Sequence, residues 1–166
     1  MTHLIGFLFA LTVAAAMAVD VATYRIPNTL PIALVVLFAC GASVSPYPVD
    51  WLGHLGAGLL MFALGAGCFA LRFMGGGDVK LLAGVSLWFG WGMLADYLLI
   101  VGLIGGVFGG ALLLARHYAL VGEPYLYQRG LSLPRVLRRG EAIPYGLAIG
   151  AAALVLMATS GSFGGP

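Results

Sequence analysis

Two carboxylates in this chain stand where a membrane would make them costly. Asp20 lies at the end of the first long apolar run, and Asp78 follows Gly75-Gly76-Gly77 just before the apolar run that opens at Leu81. An acid inside a membrane segment is expensive, so each is a candidate functional residue. Two carboxylic acids that share a site do not both ionise easily. The ionised member of such a pair draws a proton from water. The protonated member polarises a carbonyl and donates to a leaving amine. That is the chemistry of peptide hydrolysis by an activated water, with no covalent intermediate. Other chemistries find less support. Cys40 and Cys68 form no Cys-x-x-Cys pair, and His3, His54 and His117 are scattered without metal-ligand spacing. Ser86 and Ser160 have no histidine at a matching depth to activate them. Neither a metal nor a cofactor is expected.

To bring Asp20 and Asp78 together, the chain must supply two helices that present them at the same depth on one side of a bilayer. The composition fits. Of 166 residues, 61% are hydrophobic and 8% charged, against roughly 25% charged in soluble domains, and the mean hydropathy is +1.04. This reads as an all-α, polytopic membrane protein, a single transmembrane domain over residues 1–166. The first apolar run has no Lys or Arg before it, so it reads as a retained helix, not a cleaved signal.

Six transmembrane helices are expected: about 4–23, 29–44, 51–71, 78–91, 94–115 and 143–159. Asn28 or Thr29 can cap the second, with Pro31 in its first turn. Three glycines break the chain before Asp78. The fourth helix starts there, is short, and stops where Gly90 and Gly92 end it. The polar stretch 116–142 is expected to be a loop. The spacing of Gly102, Gly106 and Gly110, of Gly105 and Gly109, and of Gly146 and Gly150 suggests close helix packing.

Orientation follows from Lys and Arg. Arg25 falls in the first connection, Arg72 and Lys80 in the third, and Arg116, Arg129, Arg135, Arg138 and Arg139 in the fifth; the second and fourth hold only Asp50 and Asp96. The odd connections are therefore expected in the cytoplasm and both termini outside, with Trp51 and Trp91 at the outer interface. Asp20 then sits about 7–8 Å above the cytoplasmic boundary, with Asp78 at a matching depth. The basic loop reads as a solvated face beside the lipid bilayer, with no nucleic-acid partner.

Simpler roles compete for these residues. Asp20 could merely neutralise Arg25, and Asp78 could be an N-cap of the fourth helix. Asp50 and Asp96 read as interfacial caps. Lys80 could pair with an acidic group of a substrate, hold the Asp78 region, or simply snorkel to the interface.

Three segments taken together are informative. Asp20 with Arg25-Ile26-Pro27-Asn28, then Gly75-Gly76-Gly77-Asp78-Val79-Lys80, then Ile143-Pro144-Tyr145-Gly146, resemble in that order the motifs of the type IV prepilin peptidases, membrane aspartic proteases of the Gly-x-Gly-Asp class. The resemblance implies that Asp20 and Asp78 are catalytic. It implies that Gly75, Gly77, Pro27, Asn28, Pro144 and Gly146 shape the site or contact substrate, with Lys80 as a further candidate. It also implies a prepilin or pseudopilin substrate, with a basic leader, a Gly before the cut and an apolar helix after it. The long members carry an N-terminal cytoplasmic insert, often with paired Cys-x-x-Cys, and also methylate the cleaved N-terminus. This sequence lacks that insert, which points to the short, TadV/CpaA-like form that processes Flp-type pilins, without N-methyltransferase activity. The expected location is the bacterial inner membrane, with the site near its cytoplasmic side. Two other readings share the intramembrane acids: a small proton- or cation-coupled transporter or channel subunit, and a protease of the same class with a non-pilin substrate.

Overall fold

The computed structural model describes residues 2–128, 134–137 and 143–160, and among these there is no strand. The order is α1 (Thr2–Thr23), α2 (Thr29–Ser43), α3 (Trp51–Ala70), α4 (Gly76–Gln128), a short 3-10 turn (Arg135–Leu137) and α5 (Tyr145–Ser160). Three helices are long and apolar enough to cross a membrane, over His3–Thr23, Trp51–Ala70 and Gly76–Ala119, and two shorter apolar helices accompany them. Large side chains such as Leu52 (85% exposed), Val107 (74%) and Phe7 (63%) face outward, which suits a lipid surroundings and not water.

Each helix end has a local cause. α1 stops where Tyr24 takes a left-handed φ of 56° and its N–H donates to Asp20 O at 2.7 Å; Pro27 lies just beyond. Asp50 caps α3, accepting from Gly53 N–H at 3.0 Å, as expected. The far end of α3 closes with Arg72 N–H donating to Phe69 O (2.9 Å) and Phe73 N–H to Cys68 O (2.8 Å). This pair of bonds is the Schellman motif, whose left-handed position normally takes glycine. Here Arg72 occupies it, at φ 62°.

The structure departs from the expected layout in four places. First, the expected fourth and fifth helices are both present but follow each other directly, as two arms of α4 with no connection between them. The break is at Gly90 (φ 59°, ψ −170°), a conformation almost confined to glycine; Gly92 remains helical. The second arm folds back. Gly105 lies against the Tyr145 hydroxyl, while Tyr145 and Asp78 line one cleft. A straight helix would put residues 78 and 105 about 40 Å apart. Second, α4 continues through Arg116 to Gln128, so the expected loop opens as helix; Ala115, Arg116, Ala119 and Leu120 are good helix formers. Arg129, Arg138 and Arg139 lie outside the described residues.

Third, Asn28 holds the N-cap position of α2 but makes no side-chain cap bond. Its Oδ1 accepts from Lys80 Nζ at 2.8 Å instead, a charge-assisted bond that outweighs a neutral cap. Fourth, the glycine spacing does not report packing uniformly. A Cβ at Gly102, Gly106, Gly109 or Gly110 would meet nothing within 4 Å, whereas one at Gly105, Gly146 or Gly150 would collide with a neighbouring helix.

The core holds the site's supports in register. Phe9 of α1 packs on Trp88 of α4 with ring centroids 4.6 Å apart, and Trp88 Nε1 donates to Leu34 O of α2 at 3.0 Å. In the second arm of α4, buried Tyr97 donates its hydroxyl to Ile149 O of α5 at 3.2 Å. Such bonds across membrane helices contribute about 0.6 kcal/mol each; here they join α4 to α2 and to α5, α1 is held by the Phe9–Trp88 ring contact, and the remaining helix is α3. That helix is bound through His54 Nδ1, 2.8 Å from Leu87 O.

Candidate active site

Asp20 comes from the last turn of α1 and Asp78 from the first turn of α4. Both are buried, at 4% and 9% exposure. They line a single cleft of about 760 Å³, with Tyr24, Phe69, Arg72, Phe73, Met74, Gly75, Ile143, Pro144 and Tyr145. Asp20 is near enough to act electrostatically on Asp78. No cation pairs with either acid among the described residues, and Arg25 is exposed. The role of a plain counter-ion to Arg25 therefore fails for Asp20.

Asp78 is not the N-cap either. It is the third residue of α4 and reaches back toward the N–H of Gly75, the residue before the helix. An acid at this position of a helix commonly closes such a box. The contact is tight, for a Cβ on Gly75 would stand 3.1 Å from Asp78 Oδ2. The glycines before Asp78 thus do more than break α3 from α4. Gly77 packs directly on the connection after α1: a Cβ there would come 3.0 Å from Ile26 Cβ and 3.2 Å from Ile26 N. Two of the three sequence segments meet at that point.

The third segment closes the site from above. The N–H groups of Gly146 and Leu147, at the start of α5, face the Asp20 carboxyl, and that of Gly146 also faces Asp78. A helix start carries partial positive charge and unused donors, so it offsets part of the cost of burying two acids. Gly146 has to be glycine for this approach, since a Cβ would lie 2.7 Å from Asp20 Oδ2 and 2.8 Å from Ile26 Cδ1. Asp20 Oδ2 is nonetheless buried without a hydrogen-bond partner among the described residues. An orphaned buried oxygen costs free energy and calls for an explanation.

The expected residues thus divide. Asp20, Asp78, Gly75 and Pro144 line the cleft, Gly146 lies against Asp20, and Gly77 packs on Ile26 without lining the cleft. Pro27 and Asn28 belong to the connection packed beneath it and do not line it. Lys80 points away, to Asn28 on the other face of α4. Sequence reasoning missed Tyr24, Phe69, Arg72, Phe73 and Tyr145 as cleft residues. The only signal for them was adjacency to the motifs. Tyr24 and Arg72 carry a second mark that only coordinates reveal: they are the chain's two non-glycine residues with positive φ among those described. Such strain gathers at functional sites.

Compared with known protein families, residues 7–110 match the type IV leader peptidase family. No curated protein and no solved structure matches the chain.

Proposed function

The chain belongs to the type IV leader peptidase family, and from that premise we propose that it is an aspartic endopeptidase that removes the basic leader from Flp-like type IV prepilins. One observation carries the reading: Asp20 and Asp78, from separate helices, are buried in one cleft within each other's field. In the proposed reaction the two carboxyls hold a water between them. The ionised member takes a proton as the water oxygen attacks the scissile carbonyl, and the protonated member donates to the carbonyl oxygen. Collapse of the tetrahedral species returns that proton to the pair and delivers one to the leaving amine. The aromatic rings of Phe69, Phe73 and Tyr145 give the cleft apolar walls suited to the apolar segment that follows the cut.

The cleft lies where α1 and α3 end and α4 begins, at the end of the molecule that carries Arg25, Arg72 and Lys80. By the rule that basic connections stay inside, this favours a site at the cytoplasmic face of the inner membrane with both termini outside. A leader held in the cytoplasm by its own charge would enter there. Methylation of the product is not part of the proposal: no Cys-x-x-Cys pair of the kind that the long members carry occurs in this sequence.

The test is cleavage in vitro. Purified protein in lipid, given a candidate Flp-type prepilin, should release one product whose N-terminus, by Edman sequencing, begins after the leader. With S-adenosylmethionine supplied, mass spectrometry should show a free amine. An uncut prepilin across a panel of such substrates would overturn the peptidase reading, and a product heavier by one methyl group would overturn the second claim.

A further inference from the structure

A second depression lies on the lipid-facing side, a groove of about 590 Å³ between α2, α3 and the first arm of α4. Val35 and Val36 wall it from α2, Leu59 and Phe62 from α3, and Gly84 and Leu87 from α4. Of its lining residues only Asn28 and Lys80 are polar, and both stand at one end, where α2 and α4 begin. Lys80 Nζ donates to Asn28 Oδ1 at 2.8 Å. An ammonium has three donors, so two remain. No carboxylate neutralises the charge among the described residues.

We propose that this groove binds one anionic phospholipid, an acyl chain lying along the apolar walls and the phosphate on the Lys80 ammonium beside Asn28. Two arguments choose this occupant. A long apolar trough with one cationic end matches an amphiphile of opposite charge, and an uncompensated lysine at the membrane surface favours a headgroup with net negative charge. The groove is also on the wrong side of α4 for a substrate helix. Asp78 and Lys80, two residues apart, point about 200° apart around the helix, and the groove and the catalytic cleft share no lining residue. A bound phosphate would add to the Lys80–Asn28 contact, which ties the first turn of α4 to the connection beneath the acids.

The full chain, reconstituted in nanodiscs with equal amounts of phosphatidylglycerol and phosphatidylethanolamine of matched acyl chains, is released into native mass spectrometry. One phosphatidylglycerol should remain on each protein, preferred about fivefold over phosphatidylethanolamine. Lys80→Ala, at an exposed position, should bring the two lipids to parity, and Lys80→Arg should keep the preference. Val36→Trp, which fills the groove from an exposed position on its wall, should reduce both adducts. Equal retention of the two lipids by the wild type, or a preference that survives Lys80→Ala, overturns the proposal. So does photo-crosslinking of a leader-bearing peptide to a probe at Val35 or Leu59. None of the lipid readouts depends on peptidase activity.

Discussion

At the scale of single residues, the proposed chemistry rests on the two acids, and Arg72 carries a separate backbone cost. Asp20→Asn and Asp78→Asn preserve shape and remove a proton site. Each alone should abolish cleavage of a prepilin in a gel assay, and the double variant should be no worse, since members of one catalytic unit are not additive. The rate against pH should form a bell. It falls at low pH, where both carboxyls hold protons and none accepts from water, and at high pH, where both are ionised and none donates. The two limbs report the pair and not either residue. Arg72 sits in a left-handed position made for glycine, at a cost of about 1–2 kcal/mol. Arg72→Gly should therefore raise resistance to denaturation in detergent by about 1 kcal/mol, read from an SDS titration. If its guanidinium helps to seat the substrate, the same variant should raise KM.

Between residue and fold, glycines decide how close the elements come, and the sequence is least informative there. The acids were legible because carboxylates are rare and costly in apolar runs. The three motif segments were legible because their order is specific. The meaning of glycine spacing was not. Gly146 and Gly102 belong to similar repeats, yet one faces Asp20 and the other open space, because spacing names a helix face without naming its neighbour. The destination of Asn28 was hidden for a related reason: local preference said cap, and a lysine far along the chain took the oxygen. Two substitutions separate the cases. Gly146→Ala should cut turnover about a hundredfold by displacing α5 from the acids, while Gly102→Ala should leave it within error in the same cleavage assay. Gly90→Ala places a Cβ at φ 59° and 3.1 Å from His54 Nδ1. It should cost about 1–3 kcal/mol in the same SDS titration, although it touches no cleft residue.

For the whole molecule, the distribution of basic residues predicts orientation. In a chain with Cys40 and Cys68 replaced by alanine, a membrane-impermeant maleimide added to intact cells should label Ser45→Cys between α2 and α3. It should not label Thr23→Cys until the membrane is opened. Labelling in the opposite order would turn the protein over and move the cleft to the outer face. The number of helical rods was largely readable from hydropathy. The break between the fourth and fifth rods was legible from Gly90 and Gly92; that the second arm resumes at once, with Gly92 already helical, was not. The extension of α4 to Gln128 escaped notice because polar composition was read as loop, although charged residues are at home on a helix that leaves the membrane.

The cleft is built from both ends of the chain. Asp20 leaves the ribosome early and Asp78 midway, but Ile143, Pro144 and Tyr145, with the N–H groups that meet the acids, arrive with α5. Until that helix is inserted, the two carboxyls lack their third wall and most of the donors turned toward them. A protease assembled in this order is inert through most of its own synthesis. Apolar segments emerging beside it, its own included, pass before the blade is fitted.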